Sequence, residues 1–287
     1  MIKVTHVQRP GFSLADYRKG TRNHRILVFG RMELNYLRDL ASDLKEGRLK
    51  NVVTEESPCT IITRGLSPPR ELIKLCRKLR VPVFKTEMRS MTLLTKLTMI
   101  LNDFFAPVES VHGTLVEAYG IGVLIQGDSS VGKSEVALGL IQKEHRLISD
   151  DVVKLRAREG VVAIGFGHDL NKHLLELRGI GIVNVTHLFG AVSIRKEVPI
   201  DIVVHLEDWN EAHYYDRIGL EERFTEFLGV KVPLYVHPIK PGRDVVLLIE
   251  TTPLNHRLKE MGYHSAKEFN RKLLEEITRK KELGREA

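Results

Sequence analysis

The sequence predicts an α/β protein built from two units, and three observations carry that prediction. Short apolar runs alternate with helical periodicities along the whole chain, the signature of packed helix and sheet layers. A glycine-rich turn in the second half stands between a strand pattern and a helix pattern. The charge balance changes near residue 110: residues 1–110 hold 20 Lys and Arg against 11 Asp and Glu, whereas residues 111–287 hold 24 against 26. A chain of 287 residues has room for two ordinary domains.

In the first half, residues 25–29 (RILVF) and 60–63 (TIIT) read as strands. Pro68 and Pro69 precede a helical stretch over 70–79, and residues 81–84 (VPVF) return to strand. From Ser90, read as an N-cap, apolar side chains recur at Leu93, Leu94, Leu97, Ile100, Leu101 and Phe104, one stripe of a helix that ends near Pro107. The expected boundary lies there, giving a smaller α/β N-terminal domain over 1–107 and a P-loop-containing catalytic domain over 108–287. The second half reads as strands at 114–117, 122–126, 146–151, 161–165, 200–206 and 245–250 (VVLLIE). Near the end, Ser265 and Glu268 form a capping-box pattern before Phe269, Leu273, Leu274 and Ile277. This amphipathic helix can pack on its own domain or on another subunit.

Composition narrows the function classes. Apolar residues at 43% and charged residues at 28% are those of a folded globular chain. No run approaches the ~18 apolar residues of a membrane span, and the opening residues lack the core of a secretory signal, so a cytoplasmic protein without membrane attachment is expected. Cys59 and Cys76 form no C-x-x-C pair and are read as reduced, packed thiols. The basic charges of the first half lack interleaved aromatics or a reader motif, so no nucleic-acid partner is expected.

The chemistry concentrates in Gly127, Asp128, Ser129, Ser130, Val131, Gly132, Lys133 and Ser134, a G-x-x-x-x-G-K-S P-loop with a strand before it and a helix after it. Its glycines let main-chain N–H groups converge on phosphate oxygens, and the helix N-terminus adds positive charge. Lys133 is placed for the β and γ phosphates and Ser134 for Mg²⁺. Motors, switches and kinases share this loop, so other residues must select the reaction. Asp150 and Asp151 end an apolar strand where α/β sheets place ligands. One carboxylate can face metal or phosphates and the other an incoming hydroxyl, or the two can form a turn. Glu176, in LELRGIGIVN, is either a magnesium ligand or a partner of Arg178. Arg217, Lys240 and Arg243 are further candidate phosphate-binding cations, and His112 a candidate site residue.

Together these motifs make the chain resemble the HPr kinase/phosphorylase family, bacterial enzymes acting on a serine of the phosphocarrier protein HPr. The resemblance runs over nearly the whole length and is carried by Val111-His-Gly113, Tyr119-Gly-Ile-Gly122, the P-loop, Asp150-Asp151, residues 175–185 (LELRGIGIVNV), Tyr215-Asp-Arg-Ile-Gly219 and residues 238–243 (PIKPGR), with 61–69 in the first half. It implies ATP- and Mg²⁺-dependent phosphorylation of HPr and phosphorolysis of phosphoserine by inorganic phosphate, releasing pyrophosphate, in a homohexamer. It further implies that Asp151 is the catalytic aspartate, that Lys133, His112 and Arg217 are active-site residues, that Ser134 and Glu176 are magnesium ligands, and that residues 238–243 form a loop tied to dephosphorylation. Ser130 stands where the family often has Gly, and Lys240 and Asp244 are also variants of commoner choices. The other readings open to these residues are a P-loop kinase for a small molecule and a nucleotide-dependent binding module without phosphoryl transfer.

Overall fold

A computed structural model describes the chain except for residues 1, 3, 4, 16–23, 169–171, 212–214, 216–218, 241 and 284–287, and without the side chains of 280–283. Two compact units divide the chain, Met1–Ala106 and Pro107–Ala287.

The first unit runs β1 (Val7–Gln8), α1 (Gly11–Leu14), β2 (Ile26–Phe29), α2 (Arg31–Asp39), α3 (Ser42–Lys50), β3 (Thr60–Ile62), α4 (Arg70–Lys78), β4 (Val83–Lys85) and α5 (Ser90–Phe105). Its strands form a parallel sheet in the order β1-β2-β3-β4. Every residue of β2 is buried because its alternating side chains enter two cores: Leu27 and Phe29 join Leu34, Leu37, Leu49 and Leu72, while Ile26 and Val28 join Leu93 and Leu101. Cys59 and Cys76 are buried free thiols, and burial raises both pKa values. Ser90 departs from its expected capping role. Arg89 occupies the N-cap position, and the Ser90 hydroxyl is buried 2.7 Å from Thr63 Oγ1, where the end of β3 offers a better partner than the helix's own amides.

The second unit opens with β5 (Val108–His112), β6 (Thr114–Ala118), β7 (Ile121–Gly127), α6 (Lys133–Gln142), β8 (Arg146–Ser149), β9 (Val152–Arg158) and β10 (Val162–Phe166). It continues with β11 (Leu174–Leu177), β12 (Gly181–Asn184), α7 (Val185–Phe189), β13 (Glu197–Pro199), β14 (Ile202–Asp208), β15 (Arg223–Phe227), β16 (Val230–Ile239), α8 (Val245–Glu260) and α9 (Ser265–Leu283). A six-stranded sheet, β15-β16-β14-β7-β6-β8, lies with an antiparallel sheet, β13-β10-β9-β5, and a hairpin of β11 and β12. In the larger sheet β7, β14 and β16 are mutually parallel, so their C-terminal ends emerge side by side. Tight crossing fixes Gly122, where a Cβ would lie 1.8 Å from Pro199 O.

Residues 245–250 correct the strand reading: they are the first turns of α8. The Asp244 carboxylate caps that helix by accepting from Leu247 N at 2.9 Å, and the buried positions Ile249, Thr252, Pro253 and His256 repeat at helical spacing. Val246 packs against Gly139 of α6, which fixes the start of α8 on the P-loop helix. At the end of the chain Ser265 is the first residue of α9, and Glu268 pairs with Lys272 at 2.9 Å. Phe269, Leu273, Leu274 and Ile277 are exposed.

Candidate active site

Two strands leave the six-stranded sheet and enter the four-stranded one side by side, and the candidate site lies at that double crossing. One passes from β6 to β5 through Gly113, the other from β8 to β9 through Asp150 and Asp151; Leu115 pairs with Ser149 on one side and His112 with Val152 on the other. Gly113 N donates to Asp151 O at 3.0 Å and ties the two crossings together. Glycine is required there, since a Cβ would lie 2.7 Å from Ile125 O.

The second crossing is a tight turn. Val152 N donates to Asp150 O at 2.8 Å, a three-residue closure, and Asp151 takes φ +66°, a backbone region that aspartate tolerates better than most residues. The turn sends the two carboxylates apart. Asp150 is 5% exposed and points inward, while the side chain of Asp151 is 75% exposed and lies 3.9 Å from Nδ1 of the equally open His112. Asp150 accepts from Thr114 Oγ1 at 2.6 Å, from Ser134 Oγ at 2.8 Å and from Glu176 N at 3.4 Å, so one buried carboxylate joins β6, the P-loop helix and β11. Three donors satisfy its oxygens, as a buried polar group requires.

The P-loop joins β7 to α6. Gly127 has φ +142°, and a Cβ there would meet Leu206 O of the neighbouring strand at 2.3 Å. Ser130 takes φ +84°, a conformation more usual for glycine, and Gly132, at +92°, caps α6. Asp128 O accepts from Val131 N at 3.3 Å in a turn that exposes Asp128, Ser129 and Ser130. Lys133 folds back across the loop and donates to Gly127 O and Asp128 O, both at 2.9 Å, which leaves a third N–H.

Of the residues singled out in the sequence, Lys133, Ser134, Asp150 and Glu176 meet around the P-loop, and His112 meets Asp151 at the crossing. Gln126 Nε2, at the end of β7, donates to His112 O at 3.4 Å and links the two groups. Glu176 is exposed between the buried Leu175 and Leu177. Among the described residues no ion pair joins it to Arg178, which sits in the exposed turn after β11. Lys240 and Arg243 engage their own surroundings: Lys240 Nζ lies 3.9 Å from the Trp209 ring centroid, and Arg243 Nη1 donates to Pro238 O at 3.3 Å. Arg217 lies outside the described residues.

Sequence reasoning passed over one participant. Thr114 gave no signal, being a threonine in a strand; only the pairing of β6 with β8 brings it to Asp150.

Comparison with known proteins agrees with this architecture. Residues 1–101 match the model described as HPr Serine kinase N terminus, and residues 103–273 match HPr Serine kinase C-terminal domain. The chain is 42% identical over 274 residues to an HPr kinase/phosphorylase of Treponema pallidum (strain Nichols), covering 95% of this chain and 86% of the relative. It is 39% identical over 276 residues to one from Bacillus cytotoxicus, covering 96% and 89%. The solved Hpr(Ser) kinase/phosphatase from Coxiella burnetii superimposes with a TM-score of 0.51 at 34% identity, covering 56% of this chain and 98% of that one.

Proposed function

Since the chain belongs to the HPr serine kinase family, we propose that it phosphorylates a serine of HPr with ATP and removes that phosphoryl group by phosphorolysis. The observation that carries this reading is the divergence of Asp150 and Asp151. One carboxylate is committed to the P-loop helix through Ser134, and its neighbour stands open beside His112, where an acceptor hydroxyl can approach.

In the forward direction the P-loop amides, the N-terminus of α6 and the third N–H of Lys133 hold the β and γ phosphates. The Ser134 hydroxyl and the exposed Glu176 carboxylate are hard oxygen ligands of the kind that suit Mg²⁺, and they would hold it. When bound, Mg²⁺ neutralises charge developing on the transferred phosphoryl group. Asp151 takes the proton of the acceptor serine as its oxygen bonds to the γ-phosphorus and ADP leaves. His112, 3.9 Å away, orients that carboxylate. In reverse, an oxygen of inorganic phosphate attacks the phosphorus of phosphoserine, the bond to the serine oxygen breaks, Asp151 returns the proton to that oxygen, and pyrophosphate leaves. Arg217 and the loop 238–243 are assigned by resemblance to the same site, the loop to dephosphorylation. The family resemblance also supports a cytoplasmic homohexamer, which would sediment at six times the 32.7 kDa chain mass. No described helix is long and apolar enough to cross a membrane.

The test is a purified chain incubated with HPr, ATP and Mg²⁺, followed by addition of inorganic phosphate. Phosphoserine should appear and then decline as pyrophosphate accumulates. Asp151→Asn should bind nucleotide normally and transfer nothing; undiminished turnover in that variant removes Asp151 from its role. Phosphorylation of a small molecule without HPr, or nucleotide binding with no transfer to any acceptor, refutes the reading as a whole.

A further inference from the structure

Lys240 is held in an unusual way for a cation assigned to a phosphate site. It is exposed, it follows β16 directly, and among the described residues no carboxylate lies within ion-pair distance of it. Its ammonium instead rests on the Trp209 indole, 3.9 Å from the ring centroid. The indole itself is well fixed. Trp209 N donates to Ile239 O at 2.9 Å, the Tyr215 ring lies 4.8 Å away at a tilt of 32°, and Tyr215 Oη accepts from Asn210 N at 3.2 Å. Sheet register places the pair beside the cradle: Leu206 is opposite Gly127 and Asp208 is opposite Ile239, so Trp209 and Lys240 leave the sheet next to the start of the P-loop. Among the described residues the buried indole Nε1 has no hydrogen-bond partner, so the ring is held by stacking and by the lysine rather than by a polar anchor.

We infer that Trp209 is a positioning residue that parks Lys240 until inorganic phosphate arrives, and so sets the phosphate concentration at which phosphorolysis runs. A cation on an aromatic face is held firmly enough to be populated and weakly enough to yield to a phosphate dianion, to which lysine binds more strongly as a point charge. A carboxylate partner would have held Lys240 with charge and competed directly with the anion. The inference rests on the function proposed above for its kinetic arm, whereas its binding arm stands without it.

Both arms use the 287-residue chain, whose single tryptophan makes indole emission unambiguous. Titration with inorganic phosphate alone should give a saturable change in emission that is absent from Lys240→Ala. In steady-state phosphorolysis, Trp209→Leu should lower the KM for phosphate about five-fold, the size of a partly exposed cation–π hold. Trp209→Phe, which keeps an aromatic face, should recover most of the wild-type KM, and kcat/KM for ATP in the forward direction should stay within about two-fold in both variants. An emission change that persists in Lys240→Ala overturns the inference, as does a phosphate KM that is unchanged in the Leu variant or equal in the Leu and Phe variants. A wild-type chain with no transferase activity at all counts against the function instead, and the emission titration then still decides whether the parked lysine responds to phosphate.

Discussion

Acid should destabilise the second unit through His237, and the size of the effect can be worked from its surroundings. The imidazole Nε2 lies 2.8 Å from Thr252 Oγ1, which donates onward to Leu248 O at 2.9 Å, so Nε2 carries the proton and donates to Thr252. A second proton must go to Nδ1, in a site that opposes charge. Burial first, and then the positive charge of Arg243, depress the pKa of His237 from 6.5 to about 4. A neutral, buried histidine binds fewer protons folded than unfolded between those values. Stability is therefore unaffected above about pH 6.5, falls as pH drops through the window, and reaches its full loss below about pH 4. At ~1.4 kcal/mol per pH unit the whole shift amounts to about 3 kcal/mol, reduced toward ~1.5 because solvent reaches part of the ring. Burial also lowers the pKa of His256, which acts in the same direction, so a difference measurement is needed. His237→Gln keeps a donor for Thr252 and cannot be protonated. Urea unfolding followed by Trp209 emission, which reports on this unit, should show the variant gaining about 1–3 kcal/mol on wild type between pH 7.5 and 4.5. If both proteins lose stability in parallel over that range, His237 is not held neutral by the fold.

Gly122→Ala should disrupt the crossing of β7 with Pro199, because the added methyl would overlap the Pro199 carbonyl at 1.8 Å. We expect a loss of about 2–3 kcal/mol in chemical denaturation, with stability within ~0.5 kcal/mol of wild type showing that the strands separate freely. Asp150→Ala should leave the buried Thr114 hydroxyl and Ser134 Oγ without their acceptor. We expect about 2–4 kcal/mol lost in the same assay and Mg²⁺-dependent nucleotide affinity lowered at least tenfold in calorimetry, and unchanged affinity would detach Asp150 from the nucleotide site.

Local signals carried most of the fold, and failed where a distant contact decided. The strands at Ile26–Phe29, Thr60–Ile62 and Ile121–Gly127 were readable because each is a short apolar run bounded by turn or helix signals. The run at 245–250 has the same composition and lies in a helix. Periodicity cannot separate a buried strand from the apolar start of a helix over six residues, and the deciding interactions are the Asp244 cap and the contact of Val246 with Gly139, more than a hundred residues earlier. Ser90 shows the same limit on a smaller scale: its residue type suits a cap, and its partner is a threonine brought close by the sheet.

At the site the division follows the same physics. The P-loop was legible because its function depends on main-chain conformation, and conformation is written locally in Gly127, Gly132 and Lys133. The separation of the two aspartates was legible in kind and wrong in cause. Alternation along a strand accounts for opposed neighbours in a sheet, but Asp150 and Asp151 lie beyond β8, in a turn closed between Asp150 O and Val152 N, where a positive φ at Asp151 turns the chain into the second sheet. That distinction matters for mechanism. A turn pinned by Gly113 on one side and by the Thr114 and Ser134 hydroxyls on the other fixes Asp150 and leaves Asp151 exposed, as the proposed mechanism requires of the carboxylate that would meet an acceptor hydroxyl. The fixed carboxylate and the open one are thus products of one backbone feature, the point at which two neighbouring strands change sheets together.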